Sequence, residues 1–402
     1  MNKLAIHGGT PASPTPIPYG KQYIDDADIQ AVTEVLKSPY LTCGPAIPAL
    51  EKKICEITGA KYAVAVSNCT AALHIACIAA GISVGDEVIT SPITFAASAN
   101  CVLYCGGKPV FADINPETYN ISPASIEAHI TEKAKAIIPV HYTGQAAELA
   151  EIREICDKHS LILIEDAAHA IGTKYNGTAI GSFGDMTCFS FHPVKTVTSG
   201  EGGAVTTNSE DLYKKLILAR SHGITRDESL MVHPTGEPWY YEMVDLGYNY
   251  RMTDIQAALL SSQLDKLPMF SARRKEIVAR YNDAFSNIEG LIIQKEIPES
   301  DPTRHLYELQ IDTDILHCNR REFFDAMAKE NIFCQIHYIP VYWHPYYEKL
   351  GYAKGLCPNA EKLYERFISL PLYYSLSDNE VDCVINAVTK IVSYFKKSAP
   401  LV

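Results

Sequence analysis

The chain of 402 residues is 47% hydrophobic and 20% charged, with a formal net charge of −12 at pH 7. This length suits two domains, or one large domain with an appendage, and the composition allows a sizeable buried core. A net acidic chain with no Lys/Arg block lacks the basic face that nucleic-acid binding requires, although a few local cations can still hold a phosphate.

The N-terminal segment to residue 30 is rich in Pro and Gly and is expected to pack as an arm. Its apolar run, Leu4-Ala5-Ile6, is too short for a signal peptide. The longest small-apolar stretch, Thr70 to Ile82, carries His74 and falls short of the roughly 20 residues of a membrane span. Twelve cysteines stand singly, with no C-x-x-C pair. They read as reduced, mostly buried thiols of a cytoplasmic protein, not as a disulfide framework or a zinc site.

From residue 60 to about 210, short β-rich runs alternate with helix-length segments. The runs are 62–66, 87–90, 109–112, 136–140, 161–165, 186–190 and 203–207; between them lie patterns such as 147–159, apolar at Leu149, Ile152 and Ile155. Apolar strands separated by helices predict a mostly parallel, seven-stranded sheet covered on both faces, an α/β fold. Beyond residue 252 the pattern changes to long helices at 253–266, 268–287, 319–330, 359–368 and 377–396, with a few short strands. The expected division is an arm at 1–30, a large domain at 31–252 and a smaller α+β domain at 253–402.

Ligands of open α/β sheets bind beyond the carboxyl ends of the strands, and three such ends carry chemistry here. The run "YAVAV" leads into "SNCTAALH", a polar turn opening a helix of small residues. Its free N–H groups and positive dipole end suit a phosphate, with Thr70 and Ala71 as contacts, or form an ordinary helix cap. "LILIE" ends at Asp166, which could cap, ligate a metal or partner a ring nitrogen. "MTCFS" leads into "FHPVK", bringing Ser190 and Lys195 to a third end. A partly desolvated lysine beside a phosphate site is a Schiff-base candidate, the plain alternative being a phosphate counter-ion. The P-loop pattern is absent, because the glycines of "SGEGGAV" follow the lysine. A lysine, an anion-binding helix end and a carboxylate together fit pyridoxal phosphate, with Phe95 available to cover its ring. A metal site built on His337, Tyr338 and His344 would want more carboxylates than the segment carries.

The motifs "IDDADIQAVTEVLKSPYLTCGP", "NCTAALHIA", "EDAAHAIGTKYNG", "SFHPVKTVTSGEGGAVTTN", "LGYNYRMTDIQAALLSSQL", "QIHYIPVYWHPYY" and "ISLPLYY" span nearly the whole chain. In these it resembles the DegT-type sugar aminotransferases, a branch of the fold-type-I pyridoxal-phosphate enzymes related to aspartate aminotransferase. The resemblance implies that fold and cofactor. It implies Lys195 as the Schiff-base lysine, Asp166 as partner of the ring nitrogen, Phe95 on the ring and His169 near its phenolic oxygen. Thr70, Ala71 and Ser190 would hold the phosphate, and Asn249 would reach it from the other subunit of a homodimer.

Substrate contacts are expected at Tyr19, Tyr40, Leu41, Thr42, Cys69, Ser190, Asn249, His337, Tyr338, Ile339 and Pro340. The most similar members aminate C4 of a 4-keto-6-deoxy UDP-N-acetylhexosamine with glutamate, in pseudaminic acid synthesis. Members acting on GDP-perosamine or UDP-4-amino-arabinose type sugars share most motifs. A dehydratase of the same family would carry histidine in place of Lys195, and a non-catalytic regulator would have no use for the lysine–aspartate set.

Overall fold

The computed structural model describes residues 3–397. The large sheet is built from β1 (Tyr62–Val66), β2 (Glu87–Thr90), β3 (Lys108–Phe111), β4 (Ala134–Ile138), β5 (Ile162–Asp166), β6 (Met186–Ser190) and β7 (Gly203–Thr207). Their order is β1-β7-β6-β5-β4-β2-β3. β7 is antiparallel to both its neighbours, while every other pairing is parallel. The reason is the connection. Residues 191–202 hold no helix, and without a crossover a strand can only return beside its predecessor in the opposite sense.

Alternation along β1 sends Val64 and Val66 to one face and Ala63 and Ala65 to the other. Helices α1 (Asp26–Lys37) and α2 (Ala46–Thr58) precede β1, and the first face is covered by α3 (Cys69–Ala79) and α4 (Ala97–Tyr104). Ala72, Ile75, Ala76 and Ala79 of α3 are buried there against Val88, Ile138, Ile164 and Val205. The second face packs against Leu50 and Ile54, and also against Met252, Ala257, Leu260, Leu264, Leu267 and Phe270. The helix Asp254–Asp265 therefore belongs to the core of the large sheet. The change of core falls within the next helix, Leu267–Phe285, beyond the 252/253 boundary that the sequence pattern suggests.

The second core contains Ile277, Tyr281, Phe285, Leu309, Ile311, Phe323, Ile368 and Val384. It lies on a three-stranded antiparallel sheet of β8 (Leu291–Ile293), β9 (Tyr307–Ile311) and β10 (Phe367–Leu370). The expected helix 359–368 ends at Arg366 instead, and Phe367–Leu370 forms β10. All four residues of β10 are buried against β9, so pairing overrides local helical preference there. The N-terminal arm joins this core through Leu4 and Ile17. The buried Glu330 carboxylate holds it by accepting from the Ala5 and Ala12 N–H groups at 2.9 and 2.8 Å.

Candidate active site

Lys195 lies on the 191–202 connection, which folds back on itself. The Phe191 carbonyl accepts from the Ser199 N–H at 3.0 Å and the Thr198 hydroxyl at 3.1 Å. The Lys195 N–H donates to the His192 carbonyl at 2.9 Å, and Gly200 turns the chain at φ +79°. The hydroxylated residues around the lysine thus close its loop. A methyl group on Gly203 would stand 2.5 Å from the backbone of Asn68, so glycine is needed where β7 passes the start of α3.

The Lys195 amine makes no hydrogen bond or ion pair among the described residues. Its pKa is pushed down to about 8, chiefly by desolvation, with Cys69 and Asp166 pulling the other way. About a tenth of the amine is therefore neutral, and nucleophilic, at pH 7, rising to about half at pH 8. Asp166 closes β5. Its Oδ1 accepts from the Ala168 N–H at 3.1 Å and its Oδ2 from the Ser98 hydroxyl at 2.6 Å.

At the start of α3, the Asn68 side chain caps the Ala71 N–H at 2.8 Å, while the N–H groups of Cys69 and Thr70 find no acceptor among the described residues. Two free donors at a helix N-terminus form an anion seat. The buried Ser190, at the end of β6, lines the same cavity. Phe95 stands there 63% exposed, a large apolar ring with an uncovered face. His169 Nε2 lies 3.3 Å from the Tyr338 hydroxyl, and its buried Nδ1 has no partner among the described residues. Burial, then Lys195 and His337, holds this imidazole well below the usual histidine range, so it is neutral at neutral pH.

A cavity of about 770 Å³ unites these groups. Of the sequence-selected residues, it is lined by Tyr19, Cys69, Thr70, Ala71, Phe95, Asp166, His169, Ser190, Lys195, His337 and Tyr338. Tyr40, Leu41 and Thr42 lie elsewhere, on an exposed turn anchored where the Leu41 carbonyl accepts from the Asp254 N–H at 3.0 Å. Asn249 is exposed, bridged to Ser221, and Ile339 and Pro340 do not line the cavity. Sequence reasoning passed over Asn68, although a residue before "CTAAL" is a recognisable cap. Nothing in local pattern marks Tyr104 or Tyr250, which also form the wall. Among the described residues no group of three or more His, Cys, Asp or Glu is arranged to hold a metal.

A flat, phosphate-bearing pyridine aldehyde fits this set: a free amine, an anion seat, a carboxylate and an exposed ring share one cavity. The model of the DegT/DnrJ/EryC1/StrS aminotransferase family matches residues 22–389. The chain belongs to this family. It is 44% identical over 378 residues to the spore coat polysaccharide biosynthesis protein SpsC of Bacillus subtilis, covering 94% of this chain and 97% of that one. It is 35% identical over 384 residues to the UDP-4-amino-4,6-dideoxy-N-acetyl-β-L-altrosamine transaminase of Campylobacter jejuni, covering 95% and 99%.

Among solved structures, Helicobacter pylori PseC, an aminotransferase of pseudaminic acid biosynthesis, superposes with a TM-score of 0.88 at 32% identity, covering 94% of this chain and all of that one. The PLP form of Spr1654 from Streptococcus pneumoniae superposes equally well, at 0.88 and 31% identity over 94% and 99% of the two chains. As a member of the DegT/DnrJ/EryC1/StrS family, the protein is a pyridoxal-phosphate-dependent sugar aminotransferase with the fold-type-I architecture. None of its described helices is long and apolar enough to cross a membrane.

Proposed function

We propose that the protein transfers an amino group from glutamate to C4 of a 4-keto-6-deoxy UDP-N-acetylhexosamine, and that it works as a homodimer. The observation that carries the reading is the shared cavity: the Lys195–Asp166 pair opens on a wall of Tyr19, His337 and Tyr338. Tyrosine faces suit the apolar faces of a sugar ring, and their hydroxyls suit its polar groups. The likeness to the Campylobacter jejuni transaminase supports a UDP-linked N-acetyl sugar as the acceptor.

Bound pyridoxal phosphate supplies a carbonyl that condenses with amines and a ring that takes up electrons when a substrate C–H bond breaks. Lys195, whose free base is well populated near pH 8, would hold the cofactor through its amine and would accept and return the proton at the reacting carbon. The Asp166 carboxylate would keep a proton on the pyridine nitrogen by charge and hydrogen bonding. The Cys69 and Thr70 N–H groups and the Ser190 hydroxyl would hold the phosphate, with Phe95 available to the ring. Neutral His169 would offer Nδ1 to the oxygen substituent of the ring.

A second copy of the chain would complete the site. The segment 232–246 exposes Val232, Trp239, Tyr241, Met243 and Leu246, and Tyr40 and Leu41 are exposed as well. So much uncovered apolar surface beside the exposed Asn249 supports a subunit interface through which Asn249 reaches the partner's phosphate seat. Product analysis after incubation with glutamate and a panel of 4-keto nucleotide sugars tests the reading. Amination of the UDP-N-acetyl sugar in preference to GDP- or dTDP-linked ketones is expected. Preference for another nucleotide, or for another amino donor over glutamate, overturns the corresponding part.

A further inference from the structure

The turn that presents Phe95 also carries two buried hydroxyls: Thr94, which stands at the cavity wall, and Ser98, which lies behind it. Thr94 Oγ1 lies 2.6 Å from Ser98 Oγ, and Ser98 Oγ lies 2.6 Å from Asp166 Oδ2. All three side chains are buried, with exposures of 3%, 0% and 4%. The hydrogens in this chain can be assigned by counting. Ser98 has one hydroxyl hydrogen and two neighbouring acceptors, the Asp166 carboxylate at 2.6 Å and the Phe95 carbonyl at 3.3 Å. The closer, charged oxygen takes it. The short contact with Thr94 then needs a hydrogen from Thr94, so the chain runs Thr94 O–H to Ser98 O–H to carboxylate, each link polarising the next.

We propose that Ser98, supported by Thr94, is a positioning residue that aims the Asp166 carboxylate at the cofactor's ring nitrogen. The inference rests on the cofactor reading of the site and adds to it a requirement on Ser98, which lies outside the cavity lining, and on Thr94, behind which it sits. Asp166 Oδ1 is tied to its own strand end through the Ala168 N–H, and Oδ2 is tied to α4 through Ser98. The two ties come from different elements, so together they fix the plane of the carboxylate, which one tie would leave free to rotate. Phe95 sits in the same turn. Its carbonyl accepts from the Ser98 N–H at 3.2 Å, so one turn carries both the tie to Asp166 and the exposed aromatic ring.

The test compares cofactor binding by apo-protein for two ligands: pyridoxal phosphate and its analogue with carbon in place of the ring nitrogen. Ser98→Ala should weaken pyridoxal phosphate about tenfold while changing the analogue's dissociation constant by less than about twofold, because the analogue gives Asp166 no N–H to meet. Thr94→Val should shift pyridoxal phosphate in the same direction by less, and Thr94→Ser, which keeps the hydroxyl, should restore the parent value. Equal losses for both ligands would show that Ser98 only supports the fold. Unchanged pyridoxal phosphate binding by folded Ser98→Ala, or by Thr94→Val if Ser98→Ala does not fold, would also overturn the proposal. Failure of the parent protein itself to bind pyridoxal phosphate through Lys195 would sink the cofactor reading instead, a distinct outcome.

Discussion

Replacing Glu308 with glutamine isolates the effect of a single buried proton. Glu308 lies on β9, and Ser369 Oγ stands 2.7 and 2.8 Å from its two oxygens. The Tyr142 hydroxyl donates to Oε1 at 3.2 Å and also contacts the His337 carbonyl. Burial pushes the carboxyl up from 4.5 to about 8, against the opposing pull of the Ser369 and Tyr142 bonds, so the acid is neutral over a window in which an exposed glutamate is charged.

The sign follows from linkage. Below pH 4.5 the folded and unfolded states both hold the proton. Between 4.5 and about 8 the unfolded chain releases it and the folded protein keeps it, so stability falls as pH rises, by about 1 kcal/mol per pH unit at most. Glutamine keeps a donor and an acceptor and has no proton to lose. The stability of Glu308→Gln relative to the parent, from urea unfolding at a series of pH values, should climb from pH 5 to pH 8 and then level off. His337, held down at about 4 by burial and Lys195, titrates in both proteins and cancels in the difference. A difference that stays flat across that window, or falls, would refute the neutral-acid assignment.

Lys195→Ala should lose the visible absorption of bound cofactor and all measurable turnover; a borohydride-reducible cofactor adduct in that variant would show that another amine holds it. Asp166→Asn should still bind cofactor but transaminate about a hundredfold more slowly or worse, as stopped-flow half-reactions with glutamate would reveal; near-normal rates would remove its role at the ring nitrogen. Tyr338→Ala should raise KM for the keto-sugar while largely sparing the glutamate half-reaction, and equal damage to both would mean that this wall is general scaffold. Mixing inactive Lys195→Ala and Asn249→Ala chains should restore activity through one complete site per heterodimer. No recovery after demonstrated subunit exchange would count against a shared site.

The sequence by itself determined the parts that local chemistry writes. Strand runs with period-2 or continuous apolar character, and the motifs at their carboxyl ends, were legible, and with them Lys195, Asp166 and the helix start at Thr70. These signals survive in one dimension because each lies within a few residues of the element that presents it. The family resemblance favoured Phe95 over plain core packing and added His169 and Asn249, which spacing alone does not mark.

Tertiary structure decided what depends on meeting across the chain. The reversal of β7 follows from a connection too irregular for a crossover, and the conversion of Phe367–Leu370 to strand follows from the partner waiting in β9. Tyr19 reaches the cavity because Leu4 and Ile17 of its arm are buried in the second core, and Tyr338 reaches it from far along the chain. Ser98 and Glu308 carried no local signal at all. Their importance comes from a hydroxyl 2.6 Å from Asp166 and from the burial that keeps a proton on Glu308. Such distances are set by the packing of whole elements, a long-range quantity that no short window of residues contains.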